Sequence, residues 1–86
     1  MDIKVGIITN YFKKIGVAVL KVEGTSLKIG DDLRVEGRES ELFQKISSMQ
    51  IEHKNIDEAL PGENIGLKVL EPVKKGDVVF KVIDNK

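Results

Sequence analysis

The stretch IDEALPGENIGLKV, from Ile56 to Val69, sets the pattern of the chain: Ile65, Leu67 and Val69 take every second position, with Gly66 and Lys68 between them. Apolar residues that recur at two mark a half-buried strand, because successive side chains of extended backbone point to opposite faces. Upstream, Asn55 to Leu60 has room for one short helical turn and no more. The same period of two returns in both directions from this stretch. Ile3, Val5 and Ile7 share a face of a first run that ends near Asn10, and Val17, Val19 and Lys21 alternate with Ala18, Leu20 and Val22 in a second. Leu33 and Val35 alternate with Arg34 and Glu36, and the polar residues after Gly37, namely Arg38, Glu39 and Ser40, turn the chain into the next strand. Val78, Phe80 and Val82 form a last run, with Pro72 lying outside any central ladder since it has no N–H to give. No segment keeps a helical period for as many as about ten residues. The fold class is all-β.

The run from Glu41 to His53 changes phase once. Leu42 and Ile46 share one parity, Met49 and Ile51 the other, and one extra residue near Ser47 and Ser48 would return all four to one face. That is the effect of a β-bulge, and bulges bend strands at barrel corners. Six strands of this length suit a small closed or nearly closed six-stranded β-barrel. Two segments echo each other, LKIGDDL from Leu27 and VKKGDVV from Val73, each setting Lys-x-Gly-Asp before a strand. The glycine is expected to take a positive φ and the aspartate to accept a backbone hydrogen bond that fixes the turn.

Composition narrows the function classes. The chain has 86 residues, enough for one compact domain spanning residues 1–86 with a modest core. Lysine and arginine number 14 and so do aspartate and glutamate, so no large net field draws the protein to polyanions, and any such contact must be local. With no cysteine there is no disulfide, thiolate nucleophile or thiolate metal site. The start, Met1 to Lys4, opens no apolar run of signal-peptide length, and no membrane-spanning stretch follows, so a cytoplasmic protein without a membrane partner is expected.

Four blocks in order, LKIGDDLRVEG, ISSMQIEHK, IDEALPGENIGLKV and VKKGDVVF, resemble the second domain of elongation factor Tu-type translation GTPases. The third is the most specific, through its apolar-Asp-Glu-Ala step and the Gly-x-Asn-apolar-Gly turn after it. The resemblance implies a barrel of the translation-protein type. GVAVL in the second strand and the preceding YFKKIG are also similar to small freestanding elongation factor-like proteins, and to the C-terminal barrel of collagenase-like peptidases. The phosphate loop of a GTPase, Gly-x-x-x-x-Gly-Lys-Ser/Thr, is missing, so no GTPase activity is expected.

In elongation factor Tu this domain helps hold the aminoacyl end of transfer RNA. The resemblance carries the glutamate that stacks on the terminal adenine there onto Gln50 here, and the turn asparagine beside the aminoacyl group onto Asn64. Asn64 also suits its turn with no ligand at all. Tyr11, Phe12, Lys13 and Lys14 put two aromatics beside two lysines, a combination that stacks bases and neutralises phosphate, and His53 and Lys54 add cations at a strand end. The competing reading makes one aromatic a cap on the barrel and the lysines solubilising. His53 is the single histidine and has no nucleophile or paired acid at a motif spacing, so no catalytic residue, metal site or cofactor is expected.

These observations lead to a non-enzymatic binding module whose partner is transfer or ribosomal RNA or a translation complex. The alternative is a protein-interaction barrel that serves a GTPase or a peptidase or associates with itself.

Overall fold

The computed structural model describes residues 2–38 and 40–83. Ten strands follow in chain order: β1 Asp2–Phe12, β2 Val17–Val22, β3 Leu27–Lys28, β4 Asp32–Glu36, β5 Glu41–Lys45, β6 Met49–Ile51, β7 Lys54–Ile56, β8 Glu58–Ala59, β9 Asn64–Lys68 and β10 Val78–Val82. Eight of them make one antiparallel sheet in the order β5-β4-β10-β1-β2-β9-β6-β7, and β3 pairs with β8 apart from it. The all-β expectation holds. Asn55 to Leu60 forms no helical turn; its backbone is drawn into β7 and β8.

The hydrogen-bonded ladder is open and runs through eight strands, where a closed or nearly closed barrel of six was expected. One cluster nevertheless takes core residues from both ends of the sheet, Leu42 beside β4 and Met49 beside β9 among them. A sheet whose two ends share one core must curl around it, and Leu27 on β3 and Ala59 on β8 join the same cluster. The first and sixth strands in sheet order meet through a side chain. Gln44 on β5, buried, donates from Nε2 to the carbonyl of Lys68 at 2.9 Å, and its Oε1 accepts from the N–H of Leu70 at 2.9 Å. The amide thus offers one donor and one acceptor, as a peptide group would, across a seam where no ladder runs.

Three turns place strands β4, β9 and β10. Gly30, Gly62 and Gly76 have φ of 95, 97 and 97°. In each turn the N–H of the acidic residue after the glycine bonds the carbonyl three residues back: Asp31 to Lys28 at 3.0 Å, Glu63 to Leu60 at 3.1 Å, Asp77 to Lys74 at 3.0 Å. Its carboxylate accepts from that residue's own N–H, at 2.8, 2.6 and 2.8 Å. Each glycine N–H then reaches a neighbouring buried residue's carbonyl, on Ile46, Val22 and Ile8, and that residue's N–H returns to the acidic residue's carbonyl. The Lys-x-Gly-Asp expectation is met twice, and Leu60-Pro-Gly-Glu63 is a third copy with a longer acid.

The inward face differs from the simple alternation at both terminal strands. Register shifts between Lys4 and Gly6 and between Ile8 and Asn10 reset β1, so Val5 and Ile8 are buried while Ile7 is not. On β10 it is Val79 that is buried, and Phe80 lies outward under the Arg34 guanidinium, 4.2 Å from its ring centre. The phase slip near Ser47 is no bulge within one strand: the chain leaves β4 after Lys45 and joins β9 at Met49. Between them Ile46 spends its N–H and C=O on the Asp31 turn instead of a ladder.

Candidate functional site

Across the outer face of the sheet, Asn10, Val19, Gly66, Gln50 and Asn55 stand opposite one another on β1, β2, β9, β6 and β7. Gly66 leaves a trough in the middle of this row. It has a shoulder of Val17 and Val19, and the β1–β2 turn brings up Phe12, 47% exposed, and Ile15, 59% exposed. Glu52 and His53 complete a groove of about 210 Å³. Val17 and Val19 reveal it in the sequence as well: β2 carries apolar residues on both parities, which a strand with one wet face does not need.

The groove's lip is conformationally unusual. Ile51 and Lys54 pair across a loop of Glu52 and His53, whose φ values are 49 and 66°. Positive φ at both central residues is the mark of a type I′ hairpin, normally filled by Asn and Gly. For other L-residues the left-handed region costs roughly 1–2 kcal/mol each. Replacing both residues together, Glu52→Asn with His53→Gly, is therefore expected to raise stability by about 1–2 kcal/mol in urea unfolding. No gain would mean that the loop holds no strain.

The residues singled out in the sequence do not all meet. Phe12, Gln50 and His53 line the groove. Lys13 and Lys14 are exposed in the adjoining turn, closed by bonds from the Ile15 and Gly16 N–H groups to the Phe12 carbonyl. Tyr11 lies half-buried against the core, on the opposite side of β1 from Phe12, so the two aromatics do not form one platform. Gln50 donates to Asn55 Oδ1 at 3.1 Å, Lys54 is exposed on β7, and Asn64 pairs with Lys21 beyond the trough. Sequence reasoning missed Ile15, Val17, Val19 and Gly66.

Two larger cavities, about 420 and 310 Å³, share Gly37, Arg38, Lys74 and Asp77 near the last of the three turns. The Asp77 carboxylate is already engaged by the Lys74 N–H, so it is a turn ligand there. Among the described residues no group of His, Asp and Glu is placed to hold a metal ion. The charge network is elsewhere: Arg34 bonds Asp2, Glu36 and Glu41. The hydrogen bonds it donates to Glu36 and then to Asp2 push its pKa above the ordinary arginine value, so it stays charged.

No protein-family model matches the chain. It is 35% identical over 79 residues to an uncharacterized protease of Methanocaldococcus jannaschii, covering 91% of this chain and 19% of the relative. A collagenase of Porphyromonas gingivalis is 30% identical over 72 residues, 83% of this chain and 20% of the relative. Elongation factor 1-alpha of Thermococcus sibiricus is 38% identical over 71 residues, 72% of this chain and 16% of the factor. The chain thus spans about a fifth of the length of the curated proteins it matches, or less. Among solved structures, the C-terminal domain of a Geobacillus thermoleovorans protein assigned to the U32 peptidases superposes with a TM-score of 0.85 at 22% identity, over 92% of this chain and 91% of that one. The two share a fold.

Proposed function

We propose that this chain is a non-catalytic docking module that works beside the catalytic part of a U32-type peptidase. One observation carries the reading: 91% of the chain matches a protease of which it covers only 19%, so the likeness is to an accessory portion of a larger enzyme. The burial pattern agrees. Among the described residues every large, fully buried side chain is apolar, which supports a packing and docking role.

The translation-factor likeness supports reading the curled sheet as a barrel of the elongation factor Tu domain 2 kind. It supports RNA binding less well. Base stacking needs exposed aromatic faces, and with Tyr11 turned inward the lysine-bearing turn presents Phe12 alone.

Capture of the tagged protein from its own cell extract, at low and at raised salt, tests the proposal. A U32-type peptidase retained at raised salt is the expected result. Transfer or ribosomal RNA that washes away as salt rises, with no peptidase, would overturn it, because release by salt is the signature of phosphate-led binding.

A further inference from the structure

We infer that the groove over Gly66 seats a protein segment bearing a bulky apolar side chain flanked by carboxylates. This names the partner chemistry of the docking module proposed above and rests on that reading.

Three departures from ordinary strand chemistry converge on the groove. A mid-strand glycine gives up side-chain packing, and besides bulges and bends it is used where a ligand or another backbone approaches closely. At Gly66 φ lies outside the left-handed region, and an added Cβ would press on Val17 Cγ1 at 3.3 Å and stand 3.8 Å from the Gln50 carbonyl. Backbone conformation therefore does not require glycine here; what glycine keeps is space above the sheet. The Glu52–His53 turn holds two side-chain-bearing residues at positive φ on the lip. Phe12 and Ile15 remain exposed over the trough although both are large and apolar.

The charges at the rim select the occupant. Lys68 follows Gly66 outward on β9, and Lys21 stands across from Asn64 on the other side. Lys13 and Lys14 lie between Phe12 and Ile15. Among the described residues none of Lys13, Lys14, Lys21 or Lys68 takes part in an ion pair; the pairs involve Arg34, Lys45 and Lys81, all in the β4, β5 and β10 half of the sheet. The groove is an apolar floor with cations on the neighbouring turn and strand positions that no carboxylate matches among the described residues, Lys68 donating from Nζ to the Ile15 carbonyl at 3.1 Å, and with Glu52 as the acid in its lining. Carboxylates flanking an apolar anchor complement those cations, and lysines in the same places would be repelled.

The test is a nuclear magnetic resonance titration of the isotope-labelled full chain with a capped seven-residue peptide, Leu-Phe-Leu between two pairs of glutamates, and with its lysine counterpart. Amide shifts should gather at Phe12, Val17, Val19, Gln50 and Gly66, and the lysine peptide should bind at least about fivefold more weakly. Gly66→Leu fills the trough and should weaken binding about tenfold; if that variant fails to fold, Lys13→Glu with Lys14→Glu in the exposed turn should give a similar loss. Shifts centred elsewhere, equal binding of both peptides, or no shifts up to millimolar peptide overturn the inference. A peptidase captured equally by the native chain and by Gly66→Leu would also overturn it while leaving the docking role intact. Peptide binding in the groove, with no peptidase captured by the native chain, would support the groove and count against the peptidase role.

Discussion

Gly6→Ala is expected to destabilise the protein by at least about 3 kcal/mol and to leave little folded protein at ordinary temperatures. A methyl group built at Gly6 lies 1.8 Å from the carbonyl oxygen of Lys21 and 2.9 Å from its carbon. Those atoms are backbone in the adjacent strand, so no rotamer change relieves the clash. The residue sits where β1 shifts register against β10 while still paired with Val22 of β2, so moving β1 away disturbs both neighbours. Gly30→Ala is the informative control. Its φ of 95° strains any side chain, but nothing lies within 4 Å of the added methyl. It should cost about 1–2 kcal/mol, the usual penalty for positive φ. Urea unfolding of both variants reads the difference, and equal losses would show that close approach at Gly6 is not what glycine relieves.

The same shift explains why part of the fold was legible and part was not. Turn chemistry is local, so Lys-x-Gly-Asp at Lys28 and Lys74 could be read directly, down to the carboxylate that caps its own turn. Its third use at Leu60 was hidden because a glutamate replaces the aspartate. Strand parity is local only until a bulge intervenes. In β1 the shifts at Lys4/Gly6 and Ile8/Asn10 exchange the faces, and β10 follows its partner, bringing Val79 in and turning Phe80 out. Near Ser47 a phase slip was visible, but a bulge and a change of partner strand look alike in one sequence; only the use of Ile46 by the Asp31 turn separates them.

At the groove, the missing information was which face each strand turns outward. Phe12, Gln50 and His53 stood out by chemistry and do come together. Tyr11 went with Phe12 for as long as both were assigned to a loop; once β1 runs to Phe12, neighbouring residues must face opposite ways. Gly66 read as the end of a turn and as a polar-face position of the strand after it, and its value as a gap depends on Val19 and Gln50 standing on either side, a relation set by long-range pairing.

Gln44→Leu should have the next largest effect, about 2–4 kcal/mol of lost stability, or roughly 4–8 °C in midpoint for each kcal/mol in a domain of this size. Leucine would fit the apolar surroundings, so the loss comes from the partners left behind: the Lys68 carbonyl and the Leu70 N–H lose their bonds together at the seam. Gln44→Glu separates this cause from packing. As a carboxylate it still accepts from Leu70 but repels the Lys68 carbonyl; once protonated it can donate to that carbonyl and restore both bonds. Protonation is therefore favoured in the folded state and raises the folded pKa above the unfolded one. Stability gained this way is present below the unfolded pKa and is lost as pH rises through the folded pKa. The glutamate variant should thus approach the native protein near pH 4 and fall away by pH 7, while the leucine variant stays low at both. Parallel behaviour of the two variants would mean that hydrogen bonding by Gln44 does not join β5 to the end of β9. The curl of the sheet would then rest on the apolar core alone.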